Sequence, residues 1–133
     1  MLGNFQQSNL RIAVGVSENT IGDSLLKTDN LRQWLFPQTL SSELPEILET
    51  GLTFTSSLGF VTIKHKVEIA NENSLRLLLS QGIDGYHEWV WGEGWVQSKL
   101  EGISLLPLKL GQTFSLLKLR QFVLNKEQNQ TIE

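Results

Sequence analysis

Apolar and polar residues alternate along most of the chain, and the places where the alternation breaks divide it into elements. Leu10, Ile12, Val14 and Val16 alternate with Arg11, Ala13 and Gly15, which predicts a half-buried strand. Ser17 is placed to cap a helix, with Glu18 in its first turn, and Ile21, Leu25 and Leu26 give 18–27 a short amphipathic face. Thr28 and Asp29 open a second short helix carrying Leu31, Trp34 and Leu35, which Pro37 helps to end. Ser41 to Thr50 reads equally as a loop or a single helical turn. From Gly51 the period becomes two. Leu52 and Phe54 alternate with Thr53 and Thr55, Ser56 to Gly59 makes a turn, and Val61, Ile63, His65, Val67 and Ile69 alternate with Thr62, Lys64, Lys66 and Glu68.

The facing of these strands predicts their register, because a slip of one residue turns every side chain over. A loop at Asn71–Asn73 pairs Ile69 with Leu75, Val67 with Leu77 and His65 with Leu79. A turn at Ile83-Asp84-Gly85, with Gly85 left-handed, sets Leu79 against Trp89 and Leu77 against Trp91. Gly92-Glu93 then closes a third hairpin, with Trp91 against Gly94 and Trp89 against Val96. The inward face so built holds Val61, Ile63, His65, Val67, Leu75, Leu77, Leu79, His87, Trp89, Trp91, Val96, Ser98 and Leu100. The charged residues Lys64, Lys66, Glu68, Arg76, Glu88, Lys99 and Glu101 face outward, with Tyr86 and Trp95 partly exposed.

Leu105 to Lys126 predicts a long helix. Leu110, Phe114, Leu117 and Leu124 line one stripe and Leu116, Leu119 and Val123 a second, with Thr113 and Arg120 in the band between. Asn125 to Glu133 is polar and is expected to fray. The fold class is α+β: a curved antiparallel β-sheet gripping a long C-terminal helix, with two short helices after the first strand. One domain spans 1–133, with an ordered core at about 8–126 and no internal repeat or linker.

Composition narrows the function classes. At 133 residues the chain suits one domain, and its 40% hydrophobic and 19% charged residues are globular values. A net charge of −3, without a basic stripe, argues against nucleic acid and against a stable membrane anchor. No apolar run reaches the ~18–20 residues that cross a bilayer, and Met1 to Ser8 lacks signal-peptide regions, so a soluble cytoplasmic protein is expected. Without cysteine there is no disulfide or thiolate chemistry, and two histidines fall short of a zinc set, so no metal or cofactor is expected.

The run Asp29-Asn30-Leu31-Arg32-Gln33-Trp34, the strand entry Gly51-Leu52-Thr53-Phe54, and Gly94-Trp95 leading into Leu105-Leu106-Pro107-Leu108 and the last helix give a layout that resembles the START-like helix-grip superfamily. Polyketide cyclases, plant pollen-allergen proteins and lipid-transfer domains belong to it. The resemblance covers roughly Leu10 to Lys126 and implies a cavity between sheet and helix for a hydrophobic or amphipathic small molecule. The chain is short for that superfamily and lacks the long Gly-rich loop of the pollen-allergen branch.

Candidate cavity residues are His65, Leu77, Leu79, His87, Trp89, Trp91, Ser98, Thr113, Leu117 and Arg120. The two histidines fall on the inner face, either as an acid–base pair or ligand-binding groups, or as hydrogen-bonded core residues. Arg120 either reaches a ligand carboxylate or phosphate, or an acid such as Asp84, or lays its stem along the helix edge. Trp89 reads as packing and Trp91 as pocket wall. Ser98 beside His87 lacks a third, orienting acid and an oxyanion hole, so no catalytic residue can be assigned. Three functions remain: a small-molecule binding or carrier module, a polyketide cyclase- or dehydratase-like enzyme using the histidines, or a closed-core interaction domain whose protein partner meets Tyr86 and Trp95.

Overall fold

The computed structural model describes residues 2–132, with side chains to 129. Seven antiparallel strands form one open sheet in the order β1-β7-β6-β5-β4-β3-β2. β1 (Asn4–Ala13) lies at one edge, and α1 (Glu18–Leu26) and α2 (Thr28–Leu35) carry the chain to the other, where the short β2 (Thr39–Leu40) begins. The meander β3 (Thr53–Leu58), β4 (Val61–Ala70), β5 (Ser74–Gln81), β6 (Asp84–Gly92) and β7 (Trp95–Ser104) returns to β1, and α3 (Leu108–Ile132) closes the concave face. The class is the α+β arrangement expected, with regular structure extending past 8–126 at both ends.

The caps agree with the sequence. Ser17 Oγ accepts from Thr20 N at 3.2 Å to start α1. Two side chains tie α3 to the short helices: Thr20 Oγ1 donates to Glu127 Oε2 at 2.7 Å, and Lys118 Nζ donates to the carbonyls of Leu35 and Phe36. Gln6 serves the N-terminus of α3, its Oε1 accepting from Leu108 N at 3.0 Å while its Nε2 donates to Leu106 O at 2.7 Å.

The expected inward face is the buried one: Val67, Leu75, Leu77, Leu79, Trp89, Trp91, Val96, Ser98 and Leu100 all lie in the core. Val67 pairs with Leu77 and His65 with Leu79 as expected, but a bulge at Glu68 sets Ile69 against Arg76 and turns it to solvent. The other two registers differ from expectation by even steps. Trp89 pairs with Leu75 instead of Leu79, and with Ser98 instead of Val96. The β5–β6 turn falls earlier than Asp84-Gly85, with the positive φ at Gln81 (75°). Gly85 is needed elsewhere: it pairs with Gly102, and a Cβ on either would collide with the backbone of the other's strand. The third turn is Glu93-Gly94, Gly94 taking φ 78°. Ser56 to Leu58 belong to β3, not to a turn.

The phase of α3 is the larger correction. Its buried stripe is Leu108, Gln112, Leu116, Leu119 and Val123, whereas Leu110, Phe114, Leu117 and Leu124 are 54, 59, 51 and 37% exposed. Gly111 sits inside the first turn, its N–H bonded to Pro107 O at 3.2 Å. The helix continues past Lys126 to Ile132, and Glu133 lies outside the described residues.

Candidate functional site between sheet and helix

Two apolar hollows lie between the sheet and the helices and meet at a polar waist. The inner one, about 110 Å³, is walled by Leu25, Leu31, Trp34, Leu48, Phe54, Leu75, Leu77 and Trp89. The outer one, about 390 Å³, is walled by Pro37, Leu58, Leu79, Ile83, Leu100, Leu106, Leu108 and Phe114, with Lys118 its one charged residue. Gln38, His65, His87 and Ser115 line both.

Each histidine is held by its strand and a neighbour. His65 on β4 faces Phe54 on β3, their rings stacked at 4.7 Å, and its Nε2 lies 2.8 Å from Ser56 Oγ, a diagonal neighbour. His87 on β6 tilts against Trp89 at 4.7 Å and its Nε2 lies 2.7 Å from Ser98 Oγ on β7. Trp89 in turn meets Trp34 edge-on at 6.2 Å, and Trp34 Nε1 donates to Ser24 O at 2.8 Å. Burial in these apolar walls pulls the His65 imidazole down from 6.5 to about 4. Burial, with repulsion from His65 added, pulls His87 down to about 3, so both rings are neutral at pH 7.

The structure brings together part of the expected site. His65, His87, Leu77 and Trp89 line the inner hollow and Leu79 the outer one. Ser98 is fully buried behind His87 and orients it from outside the hollow. Trp91 is core, not pocket wall: it is 1% exposed and so close under α1 that a Cβ on Gly22 would sit 3.1 Å from its Nε1. Thr113, Leu117 and Arg120 are exposed on the far side of α3, and Thr113 Oγ1 spends its proton on Lys109 O. Asp84 pairs with no arginine among the described residues. Sequence reasoning missed Gln38, Ser56, Gln112 and Ser115. The signal for Gln112 was present, as the one polar residue in the stripe from Leu108 to Val123; Gln38 and Ser56, in segments read as connection and turn, gave none.

The outer aromatics are half-buried, each with an arginine over its ring. The Arg76 guanidinium lies 4.0 Å from the Tyr86 ring centre and that of Arg11 lies 4.1 Å from Trp95. Among the described residues no group of three His, Cys, Asp or Glu is placed to hold a metal, and no helix is long and apolar enough to cross a membrane.

No family model and no curated protein matches the chain. Solved structures do. DynU16, a protein of the dynemicin biosynthetic locus, superposes with a TM-score of 0.68 at 13% identity over 91% of this chain, which covers 48% of that protein. An AHSA1-like protein from Aeromonas hydrophila gives 0.68 at 10% identity, over 91% of this chain and 94% of that one. The major latex-like protein 151 of Panax ginseng gives 0.65 at 9% identity, over 94% and 99%. These likenesses, with the sheet order and the helix across its concave face, identify the architecture: the chain has the START-like helix-grip fold.

Proposed function

We propose that this chain is a binding or carrier module for a hydrophobic or amphipathic small molecule, seated between the sheet and α3. One observation carries the reading: two apolar hollows share a waist of four polar side chains, Gln38, His65, His87 and Ser115. Ligand sites commonly combine apolar walls with a few placed polar groups. The inner hollow, at about 110 Å³, is smaller than the ~150 Å³ cavity that accepts benzene, so it takes only part of a ligand, and the outer one, about 390 Å³, has room for the rest.

A cyclase- or dehydratase-like enzyme is the second reading, and the histidine pair in the hollow favours it. Its difficulty is basicity. A proton-transfer group works best with a pKa near the operating pH, and both rings are held well below that. The closed-core interaction reading loses support from the arginines stacked over Tyr86 and Trp95.

Native mass spectrometry of the purified protein, followed by NMR titration with small aromatic compounds, tests the reading. Retained mass lost on denaturation, or shifts confined to residues around His65 and His87, supports it. Saturating additions that shift none of those residues refute it. Turnover of a bound compound that disappears in His87→Ala would move the assignment to the enzyme.

A further inference from the structure

β1 covers one side of β7 and has no strand beyond it, so it is itself an edge of the sheet. Three contacts fix which of its backbone groups are used. The Val14 N–H donates to Gly94 O at 2.9 Å, one step past the last pair of the β1–β7 ladder, Ala13 with Trp95. Gln112 Nε2 lies 3.3 Å from Ser8 O and 2.9 Å from Ser98 O, so those two carbonyls converge between the strands. Bonded and non-bonded pairs alternate along an antiparallel ladder. Gln6, Ser8, Leu10 and Ile12 therefore turn their backbone groups to β7, and Phe5, Gln7, Asn9, Arg11 and Ala13 turn theirs outward. All of this second set are exposed, and no backbone hydrogen bond outside the ladder reaches them among the described residues.

A free edge invites pairing with another chain, and soluble proteins guard theirs with short strands, bulges, proline or lysine. The opposite edge of this sheet is guarded. β2 is two residues long, Arg32 donates to the carbonyls of Leu40 (3.1 Å) and Ser41 (2.7 Å), and the Ser41 N–H donates to Thr55 O. β1 has none of these devices. It runs ten residues in unbroken register, without proline or lysine. Its one charge, Arg11, folds back across β7, donating to Gln97 Oε1 at 3.1 Å with its guanidinium over Trp95.

We propose that β1 pairs with β1 of a second copy of this chain, antiparallel about a two-fold axis through Asn9, so that two seven-stranded sheets become one. Only registers that join outward residues to outward residues use the free groups. The one centred on Asn9 uses all of them: Phe5 meets Ala13, Gln7 meets Arg11, and Asn9 meets its own copy. Phe5, 62% exposed, then lies beside the smallest side chain of the edge. The Asn9 amide is donor and acceptor at once and so complements itself. With each Arg11 opposite a Gln7, the two charges stand roughly 14 Å apart along the strands, beyond the ~8 Å screening length at physiological salt. Neither hollow is lined by β1, so the pairing leaves the proposed ligand site untouched.

Sedimentation velocity of the full chain from about 1 μM to about 1 mM should move from 15.0 kDa toward twice that mass. A monomer throughout overturns the proposal and leaves the edge to a strand of another protein. Amide exchange, which needs no variant, should show Gln7, Asn9 and Arg11 slowing as concentration rises, while Ser8 and Leu10 are protected at every concentration. Protection gained only elsewhere, on α3 for example, overturns it. Asn9→Lys and Asn9→Asp each set like charges opposite one another at an exposed position. Each alone is expected to weaken the dimer about fivefold or more, and an equimolar mixture of the two should restore it. Variants that dimerise as well as the unaltered chain, or a mixture no better than either variant alone, overturn the pairing through Asn9.

Discussion

His87 and Ser98 meet at 2.7 Å along a diagonal of the β6–β7 ladder: the direct partner of Ser98 is Trp89, and that of His87 is Leu100. The serine thus stands beside the ring instead of opposite it and holds the ring by its Nε2 edge, while no hydrogen bond among the described residues reaches Nδ1. Replacing Ser98 by Ala removes that hold without altering the strand. Unfolding by urea should show a loss of about 1–3 kcal/mol, the cost of a buried polar group left unpaired. A loss below a few tenths of a kcal/mol would mean that the ring finds another partner.

Acid should destabilise the protein through the same pair. Both histidines have folded-state values, about 4 and about 3, below the 6.5 of an unperturbed ring. Between those values the unfolded chain binds more protons than the folded one, so stability rises with pH across that window. The contribution is complete above pH 6.5 and is lost as pH falls toward 4 and below. Urea titrations at pH 7 and 4.5 should differ by on the order of a few kcal/mol, and the difference should shrink in His65→Asn. An unchanged difference in that variant would take His65 out of the acid lability and leave it to His87 and the carboxylates.

Two leucines of α3 that face opposite ways should respond differently to truncation. Leu119 is 0% exposed against the sheet and Leu117 is 51% exposed. Leu119→Ala is expected to cost about 2–5 kcal/mol through lost burial and a cavity, and Leu117→Ser to stay within about 0.5 kcal/mol. Comparable losses at both positions would show that something packs on the outer stripe of α3 in solution.

Gly85→Ala should destabilise the sheet although the residue is small and near a turn. A Cβ there would run into the Glu101 carbonyl and the Cα of Gly102, and overpacking of this kind costs about 1–3 kcal/mol or more. Thermal melts would read it, with Gly111→Ala as the comparison, since nothing lies within 4 Å of a Cβ at that position.

The sheet was legible in the sequence because its facing depends only on parity. Trp89 changed partners from Leu79 to Leu75 and from Val96 to Ser98, yet stayed inside, since even steps preserve the face. The turns were harder to read: Asp84-Gly85 has turn chemistry, but Gly85 is required by the close approach to Gly102. Helix α3 was harder still. Two apolar stripes of similar length compete on its surface, and the sequence does not say which one the sheet takes. Choosing the band around Thr113 and Arg120 hid Gln112, which bonds the Ser98 hydroxyl behind His87. Ser56 and Gln38 act through partners 9 and 18 positions away, a distance at which no local pattern speaks.

The pairing of the first strand with the last has a consequence for the order of folding. Asn4 lies opposite Ser104 and Ala13 opposite Trp95, while every other ladder joins strands that succeed one another in the chain. Closing so long a loop costs chain entropy before the contacts it makes can compensate, so non-local pairings form slowly. The meander from β3 to β7 can assemble from neighbours while β1 is still unattached. During that interval β7 is an open edge with unsatisfied backbone donors and acceptors. Asn4–Ala13 is therefore the segment that covers the β7 edge, and a chain trimmed of it would keep most of its hollow while leaving that edge open to pair with another chain.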